Sequence, residues 1–509
     1  MYRKIIGSIL IGALAVIWSG FYFNSDFGIF QSETSDDDID GRTSILEVSA
    51  QEAGDRPVRT FDLTAQETEW EIDQEKTVDA WTYNGSVPGE ALRVKEGDFV
   101  RVHLKNELNV PVTIHWHGMI LPNRMDGVPG LTQDAVQPGE SFTYEFIAND
   151  AGTYWYHSHQ HSSEQVDKGL YGSLIIEEKQ TEKQNDFDQD KVFILDEWTT
   201  DQAQNQGMGG MMGAVSGDAE ADTKQAYDTF TINGKSGQAI ESLVMTEGQT
   251  ARMRFVNAGY QQHQLVFPKG SMEVIANDGE EVDGSKGSSN VLEIAPGERI
   301  DIAFTKPDSG SVVIGENPDV ENAEDLQIPV VSREDSDDTR DNDLAAISGQ
   351  SVAKGTSYGS ENLIFEEPPE PDVTYNMDLS MGMNMGEGMT FQINQKVFPD
   401  TPPIQVEEGD IVKVNIQNSG RMNHPMHLHG HRFQVMSKNG NQYDEPIVKD
   451  LIHVKPGEEY EIYFKANNKG EWLFHCHDNN HADQGMVTIV DYKDVYSPFK
   501  IGGDHQNQP

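Results

Sequence analysis

Three stretches of the chain carry the same signals in the same order, and this repeat restricts the fold more than any other feature. "YNGSVPG", "INGKSGQ" and "INQKVFP" begin at residues 83, 232 and 393. Each is followed by a strand that opens on an acidic-glycine turn: "VKEGDFVRVHL", "MTEGQTARMRF" and "VEEGDIVKVNI". Then come "QPGESFTYEF", "APGERIDIAF" and "KPGEEYEIYF". Thirteen residues separate each PGE glycine from the glycine leading the next strand: Gly139 to Gly152, Gly297 to Gly310 and Gly457 to Gly470. Alternating segments bounded by turn signals at this period predict an all-β chain of three consecutive β-sandwich domains. A length of 509 residues suits three such domains. Their expected limits are 56–180, 190–335 and 373–495, with an acidic, Pro-containing linker at 336–372 ("EEPPEP" at 366–371) and a tail at 496–509.

The single cysteine, Cys476, lies in "LFHCHDNNHADQGM". It has no intramolecular disulfide partner, so it is a buried small hydrophobe, a reactive thiol or a metal ligand. Its neighbours favour the last. A thiolate, two imidazoles and a weak axial thioether make the ligand set of a blue-copper electron-transfer site. Cys476, His481 and Met486 supply three members, and the second imidazole must come from elsewhere. Trp472, Leu473 and Phe474 predict an extended strand, on which Cys476 faces one side while His475 and His477 face the other. Ten of the sixteen histidines fall in four clusters, each with a His-x-His pair: His115 and His117, His157 and His159, His427 and His429, His475 and His477. On a strand such a pair presents two ligands on one face. One pair is weak evidence, since a structural histidine is as common. Four pairs, with a Cys-His-Met set interleaved in the last, are not a chance pattern. His424 and His481 remain for the cysteine site.

Over residues 56–495 the chain resembles the multicopper oxidases, the family of laccases and copper-resistance oxidases, whose four copper motifs all occur here in the expected order. The resemblance implies cupredoxin-like domains and four copper ions. His424, Cys476 and His481 would bind the type 1 copper, with Met486 as its axial ligand. His115 and His427 would bind the type 2 copper. His117, His157, His159, His429, His475 and His477 would bind the type 3 pair. Electrons would enter singly at type 1, and the trinuclear cluster would reduce dioxygen to water. Cys476 is covalently adjacent to His475 and His477, which gives the electron a short through-bond route. Asp126, in "RMDGVPGLTQ", matches the family's acid beside the cluster, although locally an ordinary Asp-Gly turn fits as well. The chain departs from several family members at Ala482, where they carry a carboxylate; Asp478 and Asp483 are nearby, and the proton donor stays open. The first and third repeats hold every candidate ligand. The second has "AGYQQHQLVF" at that place, so His263 is expected to be structural, the cluster to lie between domains 1 and 3, and domain 2 to connect them or wall the substrate site.

A net charge of -48 excludes a nucleic-acid partner. Acidic runs at 35–40 and 334–343 suit a solvated surface outside the cell, or attraction of cations. Arg3 and Lys4 precede an apolar stretch at residues 5–23, long enough to cross a bilayer, with no A-x-A-like cleavage site after it. Residues 1–30 therefore read as a membrane anchor, with a cleaved signal as the alternative, and 31–55 as a polar stalk. The positive-inside rule places the remainder outside the cytoplasmic membrane; a monomer is expected. Two segments are rich in methionine: Met208, Met211 and Met212, then Met377, Met381, Met383, Met385 and Met389. They read as a flexible loop or as a thioether relay, since soft sulfur selects Cu(I). Copper-resistance oxidases carry similar segments, so Cu(I) is the favoured donor, with laccase-like oxidation of phenols. A general laccase or manganese oxidase is the alternative, and a non-catalytic copper store a remoter one.

Overall fold

Each repeat folds into two facing sheets, as the alternation demands. The strands Phe99–Asn106 and Ile411–Asn418 bury every second side chain along most of their length, so one face of each sheet meets the other across an apolar core. In every copy the first long strand pairs in parallel with this central one: Val58–Glu71 with Phe99–Asn106, Gln189–Trp198 with Thr250–Asn257, and Val373–Asn384 with Ile411–Asn418. The sheets hold four and four strands in domain 1, six and six in domain 2, and six and five in domain 3 among the described residues. The structure is a computed structural model and describes residues 41–48, 51–179, 187–200, 227–282, 289–308, 310–332, 352–384 and 388–509. The N-terminal apolar segment, both acidic runs, Met208, Met211, Met212 and Met385 lie outside them. Among the described residues no helix is long and apolar enough to cross a membrane.

The repeated motifs do the same work three times. Asn84, Asn233 and Asn394 sit at left-handed φ of 58, 52 and 54°, a conformation asparagine tolerates better than most residues. Each accepts a backbone N–H and donates to a carbonyl of the neighbouring strand at 2.8–2.9 Å. Asn106, Asn257 and Asn418 each tie a following loop with two side-chain donations to carbonyls. One apolar core runs from domain 1 into domain 3, joining Leu63, Tyr83 and Trp116 to Met426, Trp472 and Cys476, whereas domain 2 has its own.

Four expectations need correction. Residues 43–48 are not stalk: Thr43–Ser44 pairs with Val495–Tyr496, and Ile45 is fully buried. Residues 352–358 are not linker: Val352–Ala353 extends a domain 2 sheet beside Val291–Ile294, and Ala353 and Tyr358 are buried. The tail after Tyr496 is docked on domain 1, where Asn507 accepts from Ala135 N at 2.8 Å and donates to Asp134. Met377 is a core residue, 1 % exposed, because it shares its strand face with Leu379. Two-residue strands carry no periodicity to read, and a strand with methionine in its apolar positions looks unlike one with leucine.

Candidate metal centres

Two neighbouring strands of domain 3 bring the cysteine site together. His424–Leu428 pairs antiparallel with Glu471–Cys476, setting Met426 opposite Cys476 and His427 opposite His475. The strand ends at Cys476, and Asp478 caps the short helix Asn479–Asp483 by accepting from the N–H groups of Asn480 and His481. That cap turns His481 back towards the thiol. Cys476 Sγ lies 3.7 Å from His424 Nδ1 and 3.6 Å from His481 Nδ1, and all three residues are buried. Met486 is fully buried, its carbonyl accepting from Cys476 N at 3.0 Å. Phe391 stacks on the His481 ring with centroids 3.8 Å apart. Burial, with Asp478 nearby, pushes the Cys476 thiol up, and burial holds His481 down to about 3 and His424 well below its usual range. Neutral imidazoles are ready ligands, and a bound cation would offset the cost of the buried thiolate.

The four His-x-His pairs meet in one buried chamber between domains 1 and 3. His115–His117 pairs with Gly152–His157, setting His115 opposite His157. Alternation sends Trp116 into the domain 1 core, against Tyr144, Phe146 and Tyr156. Rings stack across the domain boundary: His115 on His429 at 3.9 Å and His117 on His427 at 3.7 Å. The Nδ1–H groups of His115, His157, His427 and His475 donate to the carbonyls of Asp126, Ser158, Asp450 and Cys476 at 2.8–3.0 Å. That selects the tautomer whose Nε2 carries the free lone pair. His429 and His475 turn their Nε2 atoms towards each other at 2.9 Å. Nε2 of His115, His157 and His427, and both ring nitrogens of His117, His159 and His477, have no hydrogen-bond partner among the described residues. So many unsatisfied buried nitrogens would be costly unless a metal ion takes them up. Ligand atoms within 4.8 Å of one another form several such groups, among them His115, His117 and His157; His115, His427 and His429; and His159, His429 and His475. His477 completes the chamber, its ring 4.8 Å from His117 and 5.5 Å from His157. Burial and the neighbouring imidazoles hold His117, His157, His159, His429 and His477 well below the usual range.

Asp126, fully buried, closes the helical turn Asn123–Met125 and reaches both domains. Its Oδ2 accepts from His429 Nδ1 at 2.9 Å, and Oδ1 lies 3.2 Å from His115 Nδ1. Ala482 packs among Val128, Leu131, Leu473 and Val487. Asp478 and Asp483 are pushed up by burial, to about 7 and about 6. His263 is held between two carboxylates, Nε2 2.9 Å from Glu197 and Nδ1 2.7 Å from Glu316.

Sequence reading missed two residues. Asp450 Oδ1 stands 3.4 Å from His427 Nδ1 and 3.6 Å from His117 Nε2. It pairs with Arg299 of domain 2, Nη1 to Oδ1 at 2.7 Å and Nη2 to Oδ2 at 2.6 Å. Burial alone would raise the Asp450 carboxyl; Arg299 holds it far below the usual carboxylate range. One signal was available: only the second repeat follows PGE with arginine, where the others have Ser141 and Glu459.

Sequence profiles of the multicopper oxidases match residues 64–181, 189–313 and 366–495. The multicopper oxidase MmcO of Mycobacterium tuberculosis is 29% identical over 444 residues, 82% of this chain and 83% of that one. A copper resistance protein A homolog of Pseudomonas syringae pv. tomato is 25% identical over 547 residues, 84% of this chain and 92% of that one. The crystal structure of a multi-copper oxidase from Pseudomonas parafulva superposes with a TM-score of 0.66 at 27% identity, covering 85% of this chain and 100% of that one. Three cupredoxin-like sandwiches, a thiol set between two imidazoles and a buried chamber of paired histidines thus agree with similarity along most of the chain: it belongs to the multicopper oxidases, copper-dependent oxidoreductases.

Proposed function

We propose that this chain couples the one-electron oxidation of Cu(I), and of phenols in a laccase-like side activity, to the four-electron reduction of dioxygen. His424, Cys476 and His481 would hold the type 1 copper, with the Met486 thioether as a weaker fourth ligand. His115 and His427 hold type 2, and His117, His157, His159, His429, His475 and His477 hold the type 3 pair. Bound copper supplies the electron acceptance and the dioxygen chemistry. The chain's own residues arrange it. Cys476 turns its sulfur to one site while its covalent neighbours turn their rings into the other, so a continuous path of covalent bonds, through these side chains and the backbone between them, would link copper held at the two sites. Asp126 holds His115 and His429, one from each side of the interface, in one orientation. The enzyme acts as a monomer outside the cytoplasmic membrane, anchored or released through its N-terminal segment.

The observation that favours Cu(I) is a stripe of thioethers ending at the type 1 site. In the hairpin of Val373–Asn384 with Gly388–Ile393, Met383 lies opposite Met389 and Met381 opposite Phe391. Opposed residues, and residues two apart, share a face. Met383 and Met389 are 88% and 42% exposed, and Met381 is half-buried. Phe391, next on that face, stacks on His481. Soft sulfur at the solvent end of this face would collect Cu(I) and bring it to the histidine edge; a phenol gains nothing from sulfur. Replacing Met381, Met383 and Met389 with Ser should raise KM for Cu(I) about tenfold, roughly 1.4 kcal/mol of binding, and leave phenol oxidation unchanged. Parallel steady-state kinetics on both donors decide it, and an unchanged KM for Cu(I) would make laccase activity the primary one.

A further inference from the structure

The three PGE turns provide an internal control. Gly139, Gly297 and Gly457 share left-handed φ of 84, 81 and 76°. A Cβ at Gly139 or Gly457 would meet nothing within 4 Å, whereas at Gly297 it would lie 2.6 Å from Leu451 Cδ1 and 2.8 Å from the His477 ring. The same turn therefore faces open space in the two copper-bearing domains and is pressed against a copper-site histidine in the domain that carries no candidate ligand. The residues after it continue the contact. Glu298 accepts from Lys449 Nζ at 3.1 Å, and Arg299, buried, makes the two-pronged pair with Asp450. Ser141 and Glu459, the counterparts of Arg299, are exposed. Domain 1 leaves space for the pair: Gly118, directly after His117, has φ of 83°, and a Cβ there would come within 2.3 Å of Arg299 Nη2 and 2.8 Å of Asp450 Oδ2. A guanidinium fork fixes both oxygens of a carboxylate, which a point charge does not. Asp450 in turn faces the stacked rings of His117 and His427, one from each copper-bearing domain.

We propose that the turn at residues 295–299 makes domain 2 a positioning part of the trinuclear site: Gly297 backs His477, and Arg299 sets Asp450 against His117 and His427. The proposal rests on the ligand assignment above. Partners that orient metal ligands from behind matter by 10–100-fold in affinity or activity. Arg299→Lys keeps the charge and removes the fork. In copper-loaded enzyme it should change the electron paramagnetic resonance signal of type 2 copper and increase copper loss to a chelator about tenfold or more, with the blue absorption of type 1 kept. Arg254→Lys is the control. Arg254 lies on the same contact between domains 1 and 2, bonded to Asp190 at 2.7 Å and Thr153 Oγ1 at 2.8 Å. Its variant should keep both the signal and the copper. Should Arg299→Lys fail to fold, Asp450→Asn reads the same contact with less change in shape. An unchanged signal and copper retention in Arg299→Lys, or the same damage in Arg254→Lys, overturns the proposal alone. A wild-type protein without a type 2 signal overturns the ligand assignment, and the proposal with it.

Discussion

Domains 2 and 3 put a histidine at the same place and use it for opposite ends. His263 follows Asn257 by six residues, as His424 follows Asn418. Glu316 follows Gly310 by six, as Cys476 follows Gly470. The registers agree: Leu265 lies opposite Glu316 and Met426 opposite Cys476. In domain 3 the partner of the histidine is a thiol, and burial keeps the imidazole neutral and free to ligate. In domain 2 the partner is a carboxylate, and Glu197 adds a second. Burial alone would lower the His263 pKa, yet its hydrogen bonds to Glu197 and Glu316 raise it to about 10. One position thus holds a metal-ready imidazole in one copy and a buried imidazolium in the other. Domain 1 has neither group at these places: Val112 follows Asn106 by six and Ser158 follows Gly152 by six, its hydroxyl donating to Gln165 Oε1 at 2.6 Å. What decides the outcome is the residue facing the histidine, not the fold around it.

The two domains differ most in consequence at the thiol. Cys476→Ser should abolish the blue absorption and all oxidation of external donors, because the chamber histidines would then have no electron supply; Glu316→Gln, at the same place in domain 2, should leave oxidation intact. Absorption spectra and donor turnover of the two variants check this, and donor turnover in Cys476→Ser equal to wild type would sink the proposed route.

A smaller effect lies at the imidazolium. His263→Gln removes the cation between two buried carboxylates and should cost ~3–5 kcal/mol of domain 2 stability. The pKa of His263 is raised from 6.5 to about 10. Its contribution is therefore fully present below the unfolded value and is lost as pH rises through the folded one. Denaturant unfolding of wild type and His263→Gln should show the full gap near pH ~6 and a narrowing one towards pH ~10. A gap that is constant across that window would mean His263 is held neutral.

The repeat and the histidine pairs were readable because both are local. Alternation and turn glycines specify a sandwich within ten or so residues, and the His-x-His spacing is read directly, although only His115–His117 lies wholly on a strand while His159, His429 and His477 lie just past the ends of theirs. His424, Cys476 and His481 came together as the ligand chemistry suggested, and Asp126 reached two chamber histidines. The Arg299–Asp450 pair was not readable, since it joins residues 151 apart across two domains. Nor was the burial of Met377, which depends on which strand face meets the core. The segments at 43–48 and 352–358 were misread because short added strands are stabilised by the sheet they join rather than by their own pattern.

Copper is expected where a thiol faces His424 and among the paired chamber imidazoles, and not at His263, which Glu197 and Glu316 hold between them. Anomalous diffraction at the copper absorption edge, from crystals of copper-loaded protein, tests it in one measurement. One peak is expected among His424, Cys476 and His481, a close group of peaks among the eight chamber histidines, and none beside His263. A peak between His263 and Glu316, or no peak beside Cys476, would contradict it.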